Sequence, residues 1–187
     1  MTELQRFFIT DRLLLRPWEG TDAESLYDCA SDEELARNAG FAPHISVAYS
    51  IGVIDNILSR PGTYAVVPRD VRKAIGSIGL KFGNDGNVCL DDDEAEIGYW
   101  IGNDFRGHGY IPEAVRALLR YAFSELKLNR VWCLCREDNH NSRRVQEKCG
   151  FSFIRNGVVN DPLYGQLDMR FTCITKEEWN KSNLLNN

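Results

Sequence analysis

Apolar residues recur at helical spacing over several stretches of the chain and at alternating or continuous positions over others, and the order of these stretches predicts the architecture. Leu13, Leu14 and Leu15, between Arg12 and Arg16, predict a short first strand closed by Pro17. Thr21 or Asp22 then caps a helix through Leu26, Tyr27 and Cys29, with Glu24 completing a capping box from Thr21. The helical pattern continues over residues 32–36 and breaks at Gly40, Pro43 and His44. It returns over 47–58 with Val47, Ile51, Ile54 and Leu58 on one stripe. Residues 64–67 and 74–82 read as a hairpin. A central strand over 95–101 leads to a long helix carrying Val115, Leu118, Leu119, Ala122, Phe123 and Leu126. The strand that follows at 130–135 completes a strand-helix-strand unit, which makes its two strands parallel with a right-handed crossover. The capping residues around Asn139 and Ser142 predict a helix through Val145 and Lys148 that stops at Gly150. Residues 151–155 and 167–175 are the last strands, 175–179 a closing turn, and 181–187 a frayed tail. No repeat or domain-separating linker interrupts this order, so the expectation is one mixed α/β domain over residues 1–187.

With 187 residues and 43% hydrophobic content, the chain can bury one proper core. No apolar window is long enough to span a bilayer, and the first residues do not read as a secretion signal. The expectation is therefore a cytoplasmic protein with no membrane partner. Six cysteines in such a chain read as reduced thiols, and Cys133 and Cys135 fall on one side of a strand. His44, His108 and His140 are scattered and no cysteine pairs stand at zinc-finger spacing, so no metal is expected. A net charge of −5 argues against nucleic acid as a partner, and an anionic ligand would have to be held locally. Asp91, Asp92, Asp93 and Glu94 read as a solvated loop or as an attractor for a cationic substrate.

The local anion site is the turn after the central strand. Arg106, Gly107, His108 and Gly109 join that strand to the long helix, with Pro112 in its first turn, where a missing N–H costs nothing. Glycines allow positive φ and close backbone approach, and the free N–H groups of a helix start suit a phosphate. A dinucleotide fingerprint would need glycine where Pro112 stands, and a nucleotide P-loop needs Gly-Lys-Ser or Gly-Lys-Thr, which is absent. What remains is an Arg-x-x-Gly turn followed by Tyr110, and a downstream cluster of Asn139, Ser142, Arg144, Val145, Glu147, Lys148, Gly150 and Phe151.

In order and spacing these residues resemble the GNAT superfamily of acyl-CoA N-acyltransferases, on the branch of the ribosomal-protein acetyltransferases RimJ and RimL. The resemblance also takes in the Arg12 to Arg16 strand, the Glu96-Ile97-Gly98-Tyr99-Trp100 strand, Glu113-Ala114 and the closing stretch from Thr175 to Trp179. It departs at Ile111, where the family's turn ends in Gly or Ala, and that side chain either crowds the cofactor or packs beneath the helix. The resemblance implies a mixed, mostly antiparallel sheet flanked by helices and splayed between two parallel central strands. It further implies that acetyl-CoA enters the splay with its pyrophosphate on the turn. Cofactor contacts then fall to Tyr99, Ile101, Arg106, Gly107, His108, Gly109, Tyr110, Asn139, Ser142, Arg144 and Lys148. Asn139 and Ser142 serve equally well as helix caps, and Lys148 as a solvated residue.

Transfer of the acyl group is attack by a neutral amine on a thioester, which asks for a proton acceptor, an oxyanion donor and an acid for the leaving thiolate. Glu96 is the candidate base, acting through water, with Glu94 on the same strand face as its substitute. Tyr164 is the candidate acid, and Ser142 a contact of the thiolate. The expected acceptor is a protein N-terminal α-amine. A small-molecule amine and a non-catalytic acyl-CoA-binding module are the alternatives, and the chain would act as a monomer or homodimer.

Overall fold

The computed structural model describes residues 6–184. The chain divides into two compact units, one running up to Gly79 and including Tyr99–Ala114, the other Leu80–Gly98 with the residues from Val115 on. No helix among the described residues is long and apolar enough to cross a membrane.

In the first unit β1 (Phe8–Ile9), β2 (Leu13–Arg16), β3 (Thr63–Pro68) and the first four residues of β4 (Gly76–Lys81) pair in sequence order, all antiparallel. The two-residue β1 is too short to leave a periodic signal. Helices α1 (Ala23–Ala30), α2 (Glu33–Ala39) and α3 (Val47–Val53) follow β2, and α3 runs on as a π-helical turn, Ile54–Leu58. Their buried faces form a core with Trp18, Leu26, Ala30, Ile54 and Val67, against which Phe41 and Trp100 pack. Two expectations change here. The capping box lies between Glu19 and Asp22, ahead of Thr21 and Glu24, because Asp22 is fixed by Arg16 at 2.6 and 2.7 Å and accepts the Glu19 N–H at 3.0 Å. Ile51 is exposed, and its place on the buried stripe of α3 goes to Ser50, whose hydroxyl meets His44 Nδ1 at 2.8 Å.

In the second unit β5 (Glu94–Ile101, its first five residues) and β6 (Arg130–Arg136) are the parallel pair. β6 pairs antiparallel with β8 (Gly165–Thr175), and β8 with β7 (Ser152–Asp161). The ladder between β5 and β6 pairs Glu94, Ala95 and Glu96 with Arg130, Val131 and Trp132, while β6 runs on to Arg136. That is the expected opening of a parallel pair. Pleating puts Glu94, Glu96, Arg130 and Trp132 on one face, and Ala95, Ile97, Val131, Cys133 and Cys135 on the other.

Helix α4 (Tyr110–Ser124) buries Val115, Leu118, Leu119, Ala122 and Phe123 and leaves Arg116 and Arg120 in solvent. Each such burial contributes on the order of 1.5–3 kcal/mol, which makes this stripe the strongest local determinant of the unit. Leu126 lies beyond the helix end, where its N–H reaches back to Tyr121 O. Helix α5 (His140–Lys148) is capped by Asn139 and followed by Gly150 at φ 85°.

The last strands are longer than expected. Asn156, Gly157 and Asn160 also pair along the exposed outer strand of the β7–β8 hairpin. The closing turn is the start of helix α6 (Lys176–Leu184), begun by a capping box in which Glu178 N–H donates to Thr175 Oγ1 and Thr175 N–H to Glu178 Oε2. Residues 181–184 are therefore helical, and 185–187 lie outside the described residues.

Candidate functional site

The expected site residues fall into two groups, one in each unit. In the first, Gly107 and Gly109 adopt φ 82° and 79°, as the turn requires, and α4 begins at Tyr110. No protein acceptor stands at the N–H groups of Gly107, His108 and Gly109 among the described residues. A Cβ on Gly107 would meet open space, so the backbone there is accessible to a ligand. Arg106 is half-buried and forms no ion pair among the described residues. Ile111 is 4% exposed, packed beneath the helix and away from solvent. Tyr99 and Ile101 are half-buried on the last residues of β5.

A brace that the sequence did not reveal holds this turn. Arg12 Nη1 donates to His108 O at 2.8 Å, Arg12 Nε donates to Glu113 Oε2 at 2.7 Å, and Thr10 Oγ1 donates to Glu113 Oε1 at 2.6 Å. The Arg12 guanidinium also lies 5.0 Å from the centroid of the Tyr110 ring, on which His108 stacks. Burial pushes the Glu113 carboxyl up, but the hydrogen bonds from Thr10 and Arg12 and the Arg12 charge outweigh it and hold the carboxyl below its ordinary value. Glu113 stands in a motif of the family resemblance, but its partners lie about a hundred residues away and leave no local signal.

In the second unit both candidate carboxylates are buried and engaged. Glu94 accepts from Arg130 Nη1 at 2.7 Å and Trp132 Nε1 at 2.8 Å. Glu96, 3% exposed, accepts from Lys81 Nζ at 3.2 Å and from Asn87 Nδ2 at 2.7 Å, and also from the Asn87 backbone. Asn87, another residue the sequence reading missed, belongs to a loop that covers this sheet face and lines a 630 Å³ cavity with Trp132, Arg155 and Phe171.

Helix α5 starts over the opposite face. Asn139 Oδ1 accepts from Ser142 N–H at 3.0 Å, so the cap is real, and its amide nitrogen is not needed for it. Ser142 Oγ accepts from the buried Gln146 at 3.4 Å, and Thr172 Oγ1 donates to Gln146 Oε1 at 3.1 Å. Burial pushes the Cys135 thiol up, partly offset by hydrogen bonds with Gln146 and Ser142. Arg144 and Lys148 are exposed on α5. Tyr164 is half-buried at the β7–β8 turn, its N–H bonded to Asp161, on a different element from Ser142. Among the described residues no group of His, Cys, Asp or Glu is arranged to hold a metal.

Residues 12–152 match the profile of the acetyltransferase (GNAT) domain. YdaF of Bacillus subtilis, provisionally named a ribosomal N-acetyltransferase, is 40% identical over 189 residues, covering 91% of this chain and 95% of its own. The ribosomal-protein-serine acetyltransferase of Escherichia coli is 39% identical over 57 residues, or 30% and 32% of the two chains. A solved GNAT acetyltransferase from Bacillus anthracis has the same fold, with a TM-score of 0.78 at 23% identity over 92% of this chain and 99% of its own. A family profile over most of the length and a relative alike along nearly all of it lead to one conclusion: the chain belongs to the GNAT family of acetyltransferases, on its RimJ/RimL-like branch, and is an acyltransferase.

Proposed function

We propose that the protein transfers the acetyl group of acetyl-CoA to a protein N-terminal α-amine by direct attack on the thioester. The observation that carries the cofactor half is the turn from Arg106 to Tyr110, which presents three unengaged N–H groups at the start of a 15-residue helix. Such a terminus favours an anion by roughly 0.3–1 kcal/mol. Backbone donors together with Arg106 then supply a pyrophosphate site. Asn139 and Ser142 contact the pantetheine arm. Ser142 is also a contact of the departing thiolate. Tyr164 is the acid for that thiolate.

The likeness to YdaF supports the α-amine, and so does the proton balance. An α-amine with a pKa of about 7.7–8.0 costs only about 1 kcal/mol to deprotonate at neutral pH, against about 4–5 kcal/mol for a lysine. Glu96 is the proton acceptor, acting through water; its three donors leave a carboxylate lone pair for that water, and an α-amine asks for no more than one proton. The whole chain acts as one catalytic domain.

Two measurements test the cofactor half. Acetyl-CoA is expected to raise the melting temperature and NADH to leave it unchanged, since only a ligand of the native state stabilises it; equal shifts from both would remove the cradle. Arg106→Ala is expected to weaken CoA about tenfold, the loss of one charge-assisted hydrogen bond, and to leave binding of pantetheine unchanged. Equal losses for CoA and pantetheine would place Arg106 away from the pyrophosphate.

A further inference from the structure

The cavity of the second unit carries a charge that the transfer chemistry does not use. Side chains alternate along β7, so Phe153 and Arg155 would normally share a face. The pairing with β8 shifts between them, and Phe153 pairs with Thr172 while Arg155 pairs with Phe171. The extra residue, Ile154, turns Arg155 to the side of the sheet that bears Phe171, Trp132, Glu94 and Glu96. Re-aiming a side chain is a recurrent use of such a bulge. Once turned, the guanidinium lies 3.8 Å from the Phe171 ring centroid and directly over Gly157, where a Cβ would collide with it. Three local features thus agree on one position for this cation.

The charges around the cavity are unequal. Glu94 is balanced by Arg130 and Glu96 by Lys81, each in a direct ion pair. Arg155 lines the same cavity with no carboxylate partner among the described residues. Its remaining neighbours there are amides and apolar groups, including Asn87, Asn160 and Val159. A planar guanidinium resting on an aromatic ring keeps its edge donors available, and that geometry suits a carboxylate.

We infer that this cavity is a carboxylate subsite of the acceptor, with Arg155 as its anchor, and that the preferred acceptor is a peptide N-terminus bearing Glu or Asp at its second or third residue. The spacing selects that class. Phe171 on β8 is two strand spacings from the Glu96 strand, about 10 Å. A free α-amino acid places its carboxylate only about 4 Å from its amine, whereas an extended chain advancing about 3.5 Å per residue reaches across with an acidic side chain at either position.

The inference rests on the α-amine reading, and the experiment separates the two. Acetyl transfer from acetyl-CoA is measured for peptide pairs that differ only by Glu or Gln at the second or third residue, using wild type, Arg155→Met and Arg155→Lys. Binding of the same peptides in the presence of CoA is followed by calorimetry. Wild type is expected to favour the Glu peptide about tenfold in kcat/KM, chiefly through KM, the low end for an exposed charge-assisted contact. Arg155→Met should equalise the pair while keeping the Gln peptide within about twofold of wild type, and Arg155→Lys should restore part of the preference. Acetylation of both peptides without preference, or a preference that survives in Arg155→Met, overturns the subsite and leaves the α-amine reading in place. Arg155-dependent binding of the Glu peptide with no acetyl transfer overturns the α-amine reading and supports the subsite. Absence of both binding and transfer overturns both.

Discussion

Glu96→Gln is expected to lower kcat/KM about 100-fold near neutral pH, the lower range for loss of a positioned general base. The loss should be greatest below the acceptor's pKa, where ammonium dominates, and should shrink as pH rises and free amine becomes abundant. Acetyl-CoA affinity should stay close to wild type. The surroundings of Glu96 decide which readout is informative. Its oxygens accept from Lys81 Nζ and twice from Asn87, so a glutamine must turn its amide nitrogen toward at least one of these donors. A mispaired buried group costs about 1–3 kcal/mol, so some fall in melting temperature accompanies the substitution whatever its role in catalysis. The pH profile separates the roles, because a structural carboxylate gives a loss that does not vary with pH. Two controls sharpen the test. Lys81→Met removes a partner that is 43% exposed and leaves the carboxylate, so activity should stay within a few-fold of wild type. Glu94→Gln disturbs the Arg130 and Trp132 contacts and should cost stability without changing the shape of the profile. Wild-type activity in both glutamine variants and in the double variant would remove the base from this strand.

The parts of the fold that could be read from sequence are those whose determinants lie within one element. The stripe from Val115 to Phe123 has one partner face, so its periodicity alone specifies α4. Asn139 caps α5 through a residue three positions away, and Gly107 and Gly109 mark positive φ because other residues avoid it. The Thr175 to Glu178 capping box was equally local and was legible in principle, although a short polar helix after a strand resembles a turn. What escaped is long-range. Glu113 meets the backbone of Arg12 across 101 positions, Asn87 reaches Glu96 from a loop without periodicity, and the bulge at Ile154 depends on register with β8. Glu96 could be picked out as a carboxylate on the strand beside the turn. That it would be buried and already hold three donors could not, since Lys81 and Asn87 have no pattern relation to it.

Glu113→Gln is expected to cost about 2 kcal/mol of stability at neutral pH, and that cost should disappear in acid. The Glu113 carboxylate accepts from Thr10 Oγ1 at 2.6 Å, Arg12 N at 2.9 Å and Arg12 Nε at 2.7 Å, and pairs with Arg12 Nη2 at 2.7 Å. A glutamine retains one oxygen and presents an N–H₂ group to a guanidinium or hydroxyl that also donates. Charge-assisted bonds of this kind contribute roughly 1.5–3 kcal/mol, and half-exposure of Arg12 places the pair low in that range. The sign of the pH dependence follows from the depressed carboxyl. Its stabilisation is complete above the unfolded value, near 4.5, and is lost as pH falls through the lower folded value. Wild type and variant should therefore differ fully above the unfolded value and converge as pH falls through the lower folded value in denaturant titrations. Parallel curves across that window would show that the contacts contribute no charge-linked stability. The same substitution reaches the cofactor turn, because the Arg12 side chain that grips Glu113 also holds His108 O at 2.8 Å. With Arg12 released, CoA affinity should fall several-fold while pantetheine binding stays unchanged, and an undiminished CoA affinity would show that the turn keeps its shape without the brace.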